Sequence, residues 1–305
     1  MYLGRDPSKI NLEELKKKFP EDIENSESKL KKFLEKNRYI KKTKKDKIKE
    51  NKFLNEEQII EIEAILEHYK KRFNNKTKKD KETIIKKLDA KFIAENVSLE
   101  FEDKKKFNFR EIEKILYMKT FPYKRSVRKI LEITKTKEIL DYLKNENPEI
   151  NLKLILYIQN NLTQPYNLKG FRNIKIKTSK KEFITTHPNK INSELKEIMS
   201  WYNKNKNKIH PLVMASLFHH KFERIHPFLI QNGETGRILM NYMLSELGYP
   251  PIIIKYSLNK NYVDSMNKAY PCLKKNLLST DMRYYDELIN FMYKQFVKTY
   301  WENFA

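Results

Sequence analysis

Apolar positions recur at helical spacing along most of the chain and at strand spacing only once. From Glu56 the pattern runs Ile59, Ile62, Leu66, Tyr69, and after a polar break over 74–80 it resumes at Ile84, Leu88 and Phe92. Each stripe predicts an amphipathic helix that needs a partner. A polar patch at 102–106 precedes further predicted helices over 110–119, 127–143 and 152–162, with Pro148 and Pro165 marking breaks. Over 170–186 the period falls to two. Ile174 and Ile176 alternate with lysine, and Phe183 and Ile184 follow the polar 178–181, which predicts a β-hairpin. The helical pattern then returns over 191–202, 210–222, 233–247, 262–270 and 281–300. The expected fold is mainly α, a helical bundle with one small β-hairpin and an N-terminal helical extension. Residues 1–54 read as a Lys-rich leader with short, loosely held helices, since 41–49 carry six lysines and no apolar stripe wide enough to bury. Residues 55–106 read as an N-terminal helical region and 107–305 as the main domain.

Composition narrows the class. In 305 residues, 39% are apolar, 34% are charged and only 5 are glycine, which favours long helices and excludes a turn-rich sandwich or barrel. The single cysteine, Cys272, excludes a disulfide scaffold. The longest apolar runs, Leu154–Ile158 and Pro250–Ile254, fall far short of the roughly 20 residues that cross a bilayer, so no membrane span is expected. Arg5, Asp6 and Lys9 occupy the place of a secretory signal's apolar stretch, so the expected location is the cytoplasm, or a host cytoplasm reached without a cleaved signal. The net charge of +23 would ordinarily suggest nucleic acid or an anionic membrane surface. Most of it is lysine spread along the chain, where phosphate or guanine recognition prefers the arginine fork, so a solvated lysine surface is expected instead of a nucleic-acid site.

Candidate chemistry crowds into one segment. A sequence with almost no glycine keeps Gly233 and Gly236 within four residues, in His226-Pro-Phe-Leu-Ile-Gln-Asn-Gly-Glu-Thr-Gly-Arg237. Pro227 disfavours helix at His226, and Asn232-Gly233 restarts the chain as a helix carrying Leu239, Met243 and Leu247. Free amides at such a start form an anion site, and an imidazole at its mouth could take a proton from an incoming hydroxyl. A structural helix start and a packed histidine would leave the same trace. A second option places His219, Glu223 and His226 on one helical face as metal ligands, although Pro227 marks the helix end and nothing nearby completes the set.

The segment resembles the signature of the Fic (Fido) domain family, His-Pro-Phe-x-Asp/Glu-Gly-Asn-Gly-Arg-x-x-Arg. Gly170-Phe171-Arg172 with Ile174 and Ile176 resembles the start of the family's target-binding hairpin, the flap. His210-Pro211, Ala215, His219, Phe222-Glu223 and Ile225 resemble the helix leading into the signature, and Leu244, Gly248, Pro251, Tyr262, Met266 and Ala269 follow the family downstream. The similarity runs from about Leu152 to the C-terminus and more weakly back to about Phe92. It implies a Fic-type helical bundle and transfer of AMP from Mg-ATP to a Ser, Thr or Tyr hydroxyl of a target protein held by the flap, residues 170–186. It also implies His226 as general base, Asn232 with the amides around Gly233 and Gly236 as the phosphate cradle, and Arg237 on the γ-phosphate. A homodimer is compatible with it.

Three matched positions depart from the pattern. Ile230 stands where the family has its magnesium-binding acid, and a hydrocarbon cannot ligate a hard cation, so no protein metal ligand is expected. Gln231 replaces a glycine of the phosphate loop, and Glu234 replaces the first arginine. At about 5 Å and an effective dielectric of about 20, one unit-charge interaction is worth roughly 3 kcal/mol, and the inversion counts it twice. ATP and magnesium, the family's cofactors, are therefore doubtful for this chain. Asn96-Val-Ser-Leu-Glu100-Phe101 resembles the family's inhibitory helix with only Glu100 kept, which implies a Glu100–Arg237 pair. The leading expectation is a Fic-fold protein resembling protein adenylyltransferases, with weak, altered or lost transfer from Mg-ATP. The alternatives are a non-catalytic protein-binding module and a metal-independent transferase with another phosphate donor.

Overall fold

A computed structural model describes residues 53–100, 106–123, 125–176 and 184–304. The expected leader falls outside these residues almost entirely, as do the flap's turn at 177–183 and most of the polar patch at 102–106.

Ten α-helices form among the described residues. They are α1 (Glu56–Asn74), α2 (Lys78–Leu99), α3 (Phe109–Tyr117), α4 (Val127–Glu146), α5 (Leu152–Leu162), α6 (Ile191–Asn205), α7 (Pro211–Ile225), α8 (Asn232–Glu246), α9 (Asn259–Lys275) and α10 (Met282–Phe304). Local chemistry explains several of the starts. Asn55 and Asn108 each close a capping box with the residue three positions on, Gln58 and Glu111, and the Asn151 side chain accepts from the Leu154 amide. Pro211 sits at the first position of α7, where its missing N–H costs nothing. Helix α9 continues through Pro271 to Lys275, past its expected end at residue 270, because the packing of α9 on α10 holds it.

One continuous apolar core runs from Leu54 to Phe304. At its centre α7 and α8 pack as an antiparallel pair, with α6, α9 and α10 against α7 and with α2 and α5 against α8. Leu212, Phe218, Phe222, Phe228, Leu239, Met240 and Leu244 are fully enclosed there. Helix α2 also packs on α3 and α4, which brings the N-terminal region onto the start of α8. No described helix is long and apolar enough to cross a membrane.

No β-strand forms among the described residues, so the two described arms of the expected hairpin carry no ladder. Two carbonyls of the arms are held by one side chain. The guanidinium of Arg172, only 3% exposed, donates to the carbonyls of Ile174 at 2.8 Å, of His226 at 2.7 Å and of Ile225 at 3.3 Å, and also to that of Thr186. The Arg172 amide donates to the Pro227 carbonyl at 2.9 Å. Tyr270 clamps the second arm, its hydroxyl donating to the Ile184 carbonyl at 3.0 Å and accepting from the Ile184 amide at 2.6 Å. Buried carbonyls left without donors are expensive, so Arg172→Ala should destabilise the fold by about 2–4 kcal/mol. Chemical denaturation measures this, and a loss below 1 kcal/mol would refute the anchoring role.

Candidate active site

The segment from His226 to Arg237 links the C-terminus of α7 to the N-terminus of α8. His226 terminates α7 in the left-handed region, at φ 50°, with its amide still bonded to the Phe222 carbonyl. An L-residue rarely adopts this conformation, and Arg172 on the His226 carbonyl holds it there. Burial and the nearby Arg172 charge lower the imidazole pKa to about 4, so His226 is neutral at pH 7. Its buried Nδ1 has no hydrogen-bond partner. Because Nδ1 is buried, only the other ring nitrogen of this neutral imidazole could accept a proton from an incoming group.

Asn232 closes the loop rather than pointing out of it. Its Oδ1 accepts from the Phe228 amide and its Nδ2 donates to the Phe228 carbonyl, both at 2.9 Å. Gln231 precedes α8 at φ 61°, a position where glycine is at ease, and its side-chain Nε2 donates to Glu132 Oε1 on α4 at 2.9 Å. The Gln231 side chain is thereby drawn sideways onto α4.

The two signature glycines have different duties. A Cβ on Gly233 would lie 2.1 Å from Glu100 Oε1 and 2.7 Å from Arg237 Nη1, so the absence of a side chain lets that pair lie against the start of α8. A Cβ on Gly236 would lie 2.6 Å from His219 Nδ1 and 3.1 Å from the Phe222 ring. Gly236, expected in the phosphate cradle, therefore faces α7 and serves the close packing of α7 on α8.

Arg237 is 3% exposed and is held by the end of α2. Its Nη2 donates to Glu100 Oε1 at 2.8 Å and to the Asn96 carbonyl at 3.2 Å, and its Nε donates to Asn96 Oδ1 at 2.6 Å. Burial works against the charge, but Glu100 more than compensates and the guanidinium pKa rises. Asn96, read from the sequence only as a departure from the family pattern, is thus a second ligand of Arg237. The signal available was its spacing, four residues and about one helical turn before Glu100.

The metal-ligand option on α7 fails. His219 is fully buried with Nε2 2.5 Å from the Tyr262 hydroxyl, and His226 lies beyond the helix end. Among the described residues no three His, Cys, Asp or Glu side chains converge to hold a metal. Glu223 is half-buried close to Glu100 and Arg237, and its buried Oε1 lacks a partner. Burial, helped by the Glu100 charge and opposed by Arg237, raises its pKa to about 8. Glu234 is 0% exposed, and neither of its carboxyl oxygens has a hydrogen-bond partner. Burial and then the charge of Glu132 raise its pKa.

The surroundings of this site match known proteins. Residues 149–244 match the Fic/DOC family. The loop from His226 to Arg237 therefore lies within the segment that matches the Fic/DOC family. Over 131 residues it is 33% identical to a protein adenylyltransferase Fic of Aedes aegypti, an alignment covering 42% of this chain and 26% of that protein. The chain thus spans about a quarter of the length of that curated relative. Its fold matches a Fic domain containing signaling protein from Bacteroides thetaiotaomicron with a TM-score of 0.71 at 18% identity, covering 79% of this chain and 94% of that one. It also matches Fic-1 (aa134–508) from C. elegans with a TM-score of 0.65 at 18% identity, covering 81% and 71%.

Two outcomes follow. Gly233→Ala should break the Glu100–Arg237 contact, because the clashing atoms are the movable ends of both side chains. In a Glu100→Gly background the same alanine should be neutral or stabilising by up to about 1 kcal/mol, through helix propensity. A double-mutant cycle by urea denaturation measures the difference, and additive effects would refute the contact. The raised pKa of Glu223 means that the folded protein holds its proton where the unfolded chain, with a value near 4.5, has released it. That contribution is complete below pH 4.5 and fades as the pH rises to about 8. The stability of Glu223→Gln relative to wild type should accordingly rise across this window and level off above it. A pH-independent difference would refute the assignment.

Proposed function

We propose that this chain is a Fic-fold relative of the protein adenylyltransferases in which ordinary AMP transfer from Mg-ATP is suppressed twice, by altered residues in the signature and by the Glu100–Arg237 contact. The observation that carries the reading is the state of Arg237: the guanidinium expected to meet a γ-phosphate is held through Nε and Nη2 by Glu100 and Asn96. The residues present do not fit Mg-ATP. Ile230 offers no oxygen to a metal, Glu234 adds a buried carboxyl at the start of α8, and the Asn232 side chain is committed to Phe228.

The groups that would act on a target are the chain's own. His226, neutral at pH 7, would take the proton of a target hydroxyl on the ring nitrogen opposite its buried Nδ1. The target would lie along the arms around 170–186, where Ile174 is 56% exposed and Ile184 is 64% exposed. These two exposed apolar side chains also favour the second reading, a module that binds a protein through the flap without modifying it. Under that reading His226 is dispensable.

Calorimetry and labelling separate the two. Wild type should bind Mg-ATP no tighter than about millimolar. The quadruple variant Glu100→Gly, Ile230→Asp, Gln231→Gly, Glu234→Arg should bind at least tenfold more tightly and label itself or a target with AMP, and the label should vanish on adding His226→Ala. Micromolar binding by wild type would overturn the suppression. A folded quadruple variant that still fails to bind Mg-ATP would overturn the transferase ancestry of the site and favour the binding module.

A further inference from the structure

Five polar side chains at the C-terminal end of α1 share one face. His68, Lys71, Arg72, Asn75 and Lys76 fall at i, i+3, i+4, i+7 and i+8, which sets them on a single side of the helix and of the turn that follows it. Together they line an open cavity of about 390 Å³. Two of them also reach α10, since His68 Nδ1 is hydrogen-bonded to the Tyr300 hydroxyl and Arg72 Nη1 donates to the Phe304 carbonyl. Lys71 and Arg72 nevertheless remain exposed, so a ligand in the cavity can meet them.

Charge decides what the cavity can hold. No acidic side chain lines it. Lys71 Nζ pairs with Glu67 Oε1 at 2.6 Å, and among the described residues neither Arg72 nor Lys76 has an ion-pair partner. Lys71, Arg72 and Lys76 thus set three positive charges against one negative, and two remain unbalanced. The imidazole registers the same field, because burial and then the charges of Arg72 and Lys71 lower the pKa of His68. Basic side chains in a last helical turn answer the helix dipole, but that end carries only about half a charge. A carboxylate would cancel one of the two charges. A phosphomonoester, at about −1.5 to −2 near pH 7, would cancel both and suits the guanidinium fork.

We propose that the cavity at the C-terminal end of α1 binds a phosphomonoester group on Arg72 and Lys76, with Lys71 and Asn75 as further donors. Arg72 has five N–H groups, of which the Phe304 carbonyl takes one, so the fork is held in place and still open to an anion. None of the signature residues lines this cavity, and the site does not depend on what the loop between α7 and α8 does. The same group is presented by a soluble phosphate ester and by the headgroup of phosphatidic acid, and the two sources are separable.

The test uses the full chain near neutral pH at constant ionic strength. In calorimetry with glycerol 3-phosphate, wild type should bind with a Kd of about 1 mM or tighter. Arg72→Gln with Lys76→Gln should weaken this about tenfold or more. Lys196→Gln with Lys204→Gln, which removes as much charge from exposed positions on α6, should change it by less than about twofold. Sedimentation with phosphatidylcholine vesicles, with and without phosphatidic acid, tests the second source. Binding only to the phosphatidic acid vesicles, lost on substituting Arg72 and Lys76, assigns the site to a lipid headgroup. Soluble binding with no vesicle binding assigns it to a free phosphate ester. Absence of binding in both arms overturns the proposal, as does a loss equally large in the α6 variant, which would assign any binding to the diffuse lysine surface. If the Arg72 variant does not fold, Lys71→Gln with Lys76→Gln takes its place under the same criteria.

Discussion

A guanidinium keeps its charge at any pH the protein meets, so placing Arg237 in the interior obliges the fold to bring a carboxylate to it. The carboxylate comes from the last turn of α2, and much of the site's architecture follows from that requirement. Glu100 can approach only because position 233 has no side chain. Asn96 sits one turn earlier and takes the Nε–H that Glu100 cannot reach. The packing of α2 on α3, α4 and α8 aims this helix end at the signature loop. The N-terminal region is thus part of the site's electrostatics, although its residues lie more than 120 positions from His226 in sequence.

The same economy explains why three acids gather round one arginine. Glu100 satisfies Arg237 directly, which leaves little of its field for Glu223 or Glu234. Both respond as isolated buried carboxyls do, by holding a proton more tightly, and Glu234 also feels Glu132. Moving Glu100 away would reverse this. With Arg237 released, Glu223 is the nearest remaining counterion on α7, and its proton would be lost more easily. Opening the contact is therefore coupled to ionisation of a residue one helical turn before His226.

Periodicity made most helices legible, because 3.6-residue stripes facing a single core leave a strong trace and the prolines and asparagines mark its interruptions. The Glu100–Arg237 contact was legible only through resemblance, since nothing in local spacing joins residues 137 positions apart. Glu132 was not legible at all. It sits inside α4 among alternating lysines and acids and looks like one more exposed helical charge, and only the approach of Gln231 from the loop makes it a buried partner. Gly236 is ambiguous in sequence for a related reason: glycine answers equally to a phosphate and to a neighbouring helix, and here its Cβ side faces α7. Among the described residues of the flap arms, Arg172 supplies the donors to the Ile174 and Thr186 carbonyls that the period-two pattern assigns to a second strand.

The departures from the family pattern gain a common physical sense when taken with the loop geometry. In a phosphate-binding loop, glycine before the asparagine leaves the backbone accessible, and arginine at the third position of the helix supplies positive charge. Here Gln231 takes the left-handed conformation at some cost in strain and recovers it through a hydrogen bond to Glu132. Glu234 occupies the first turn of α8, where the helix dipole favours a negative charge. Under the proposed suppression of AMP transfer, an internal carboxyl would stand where an external anion would otherwise bind, and the tether of Gln231 to Glu132 would hold the loop without phosphate. Reversing one substitution alone would leave the others in place, so on that reading recovery of nucleotide chemistry would require the changes to be reversed together.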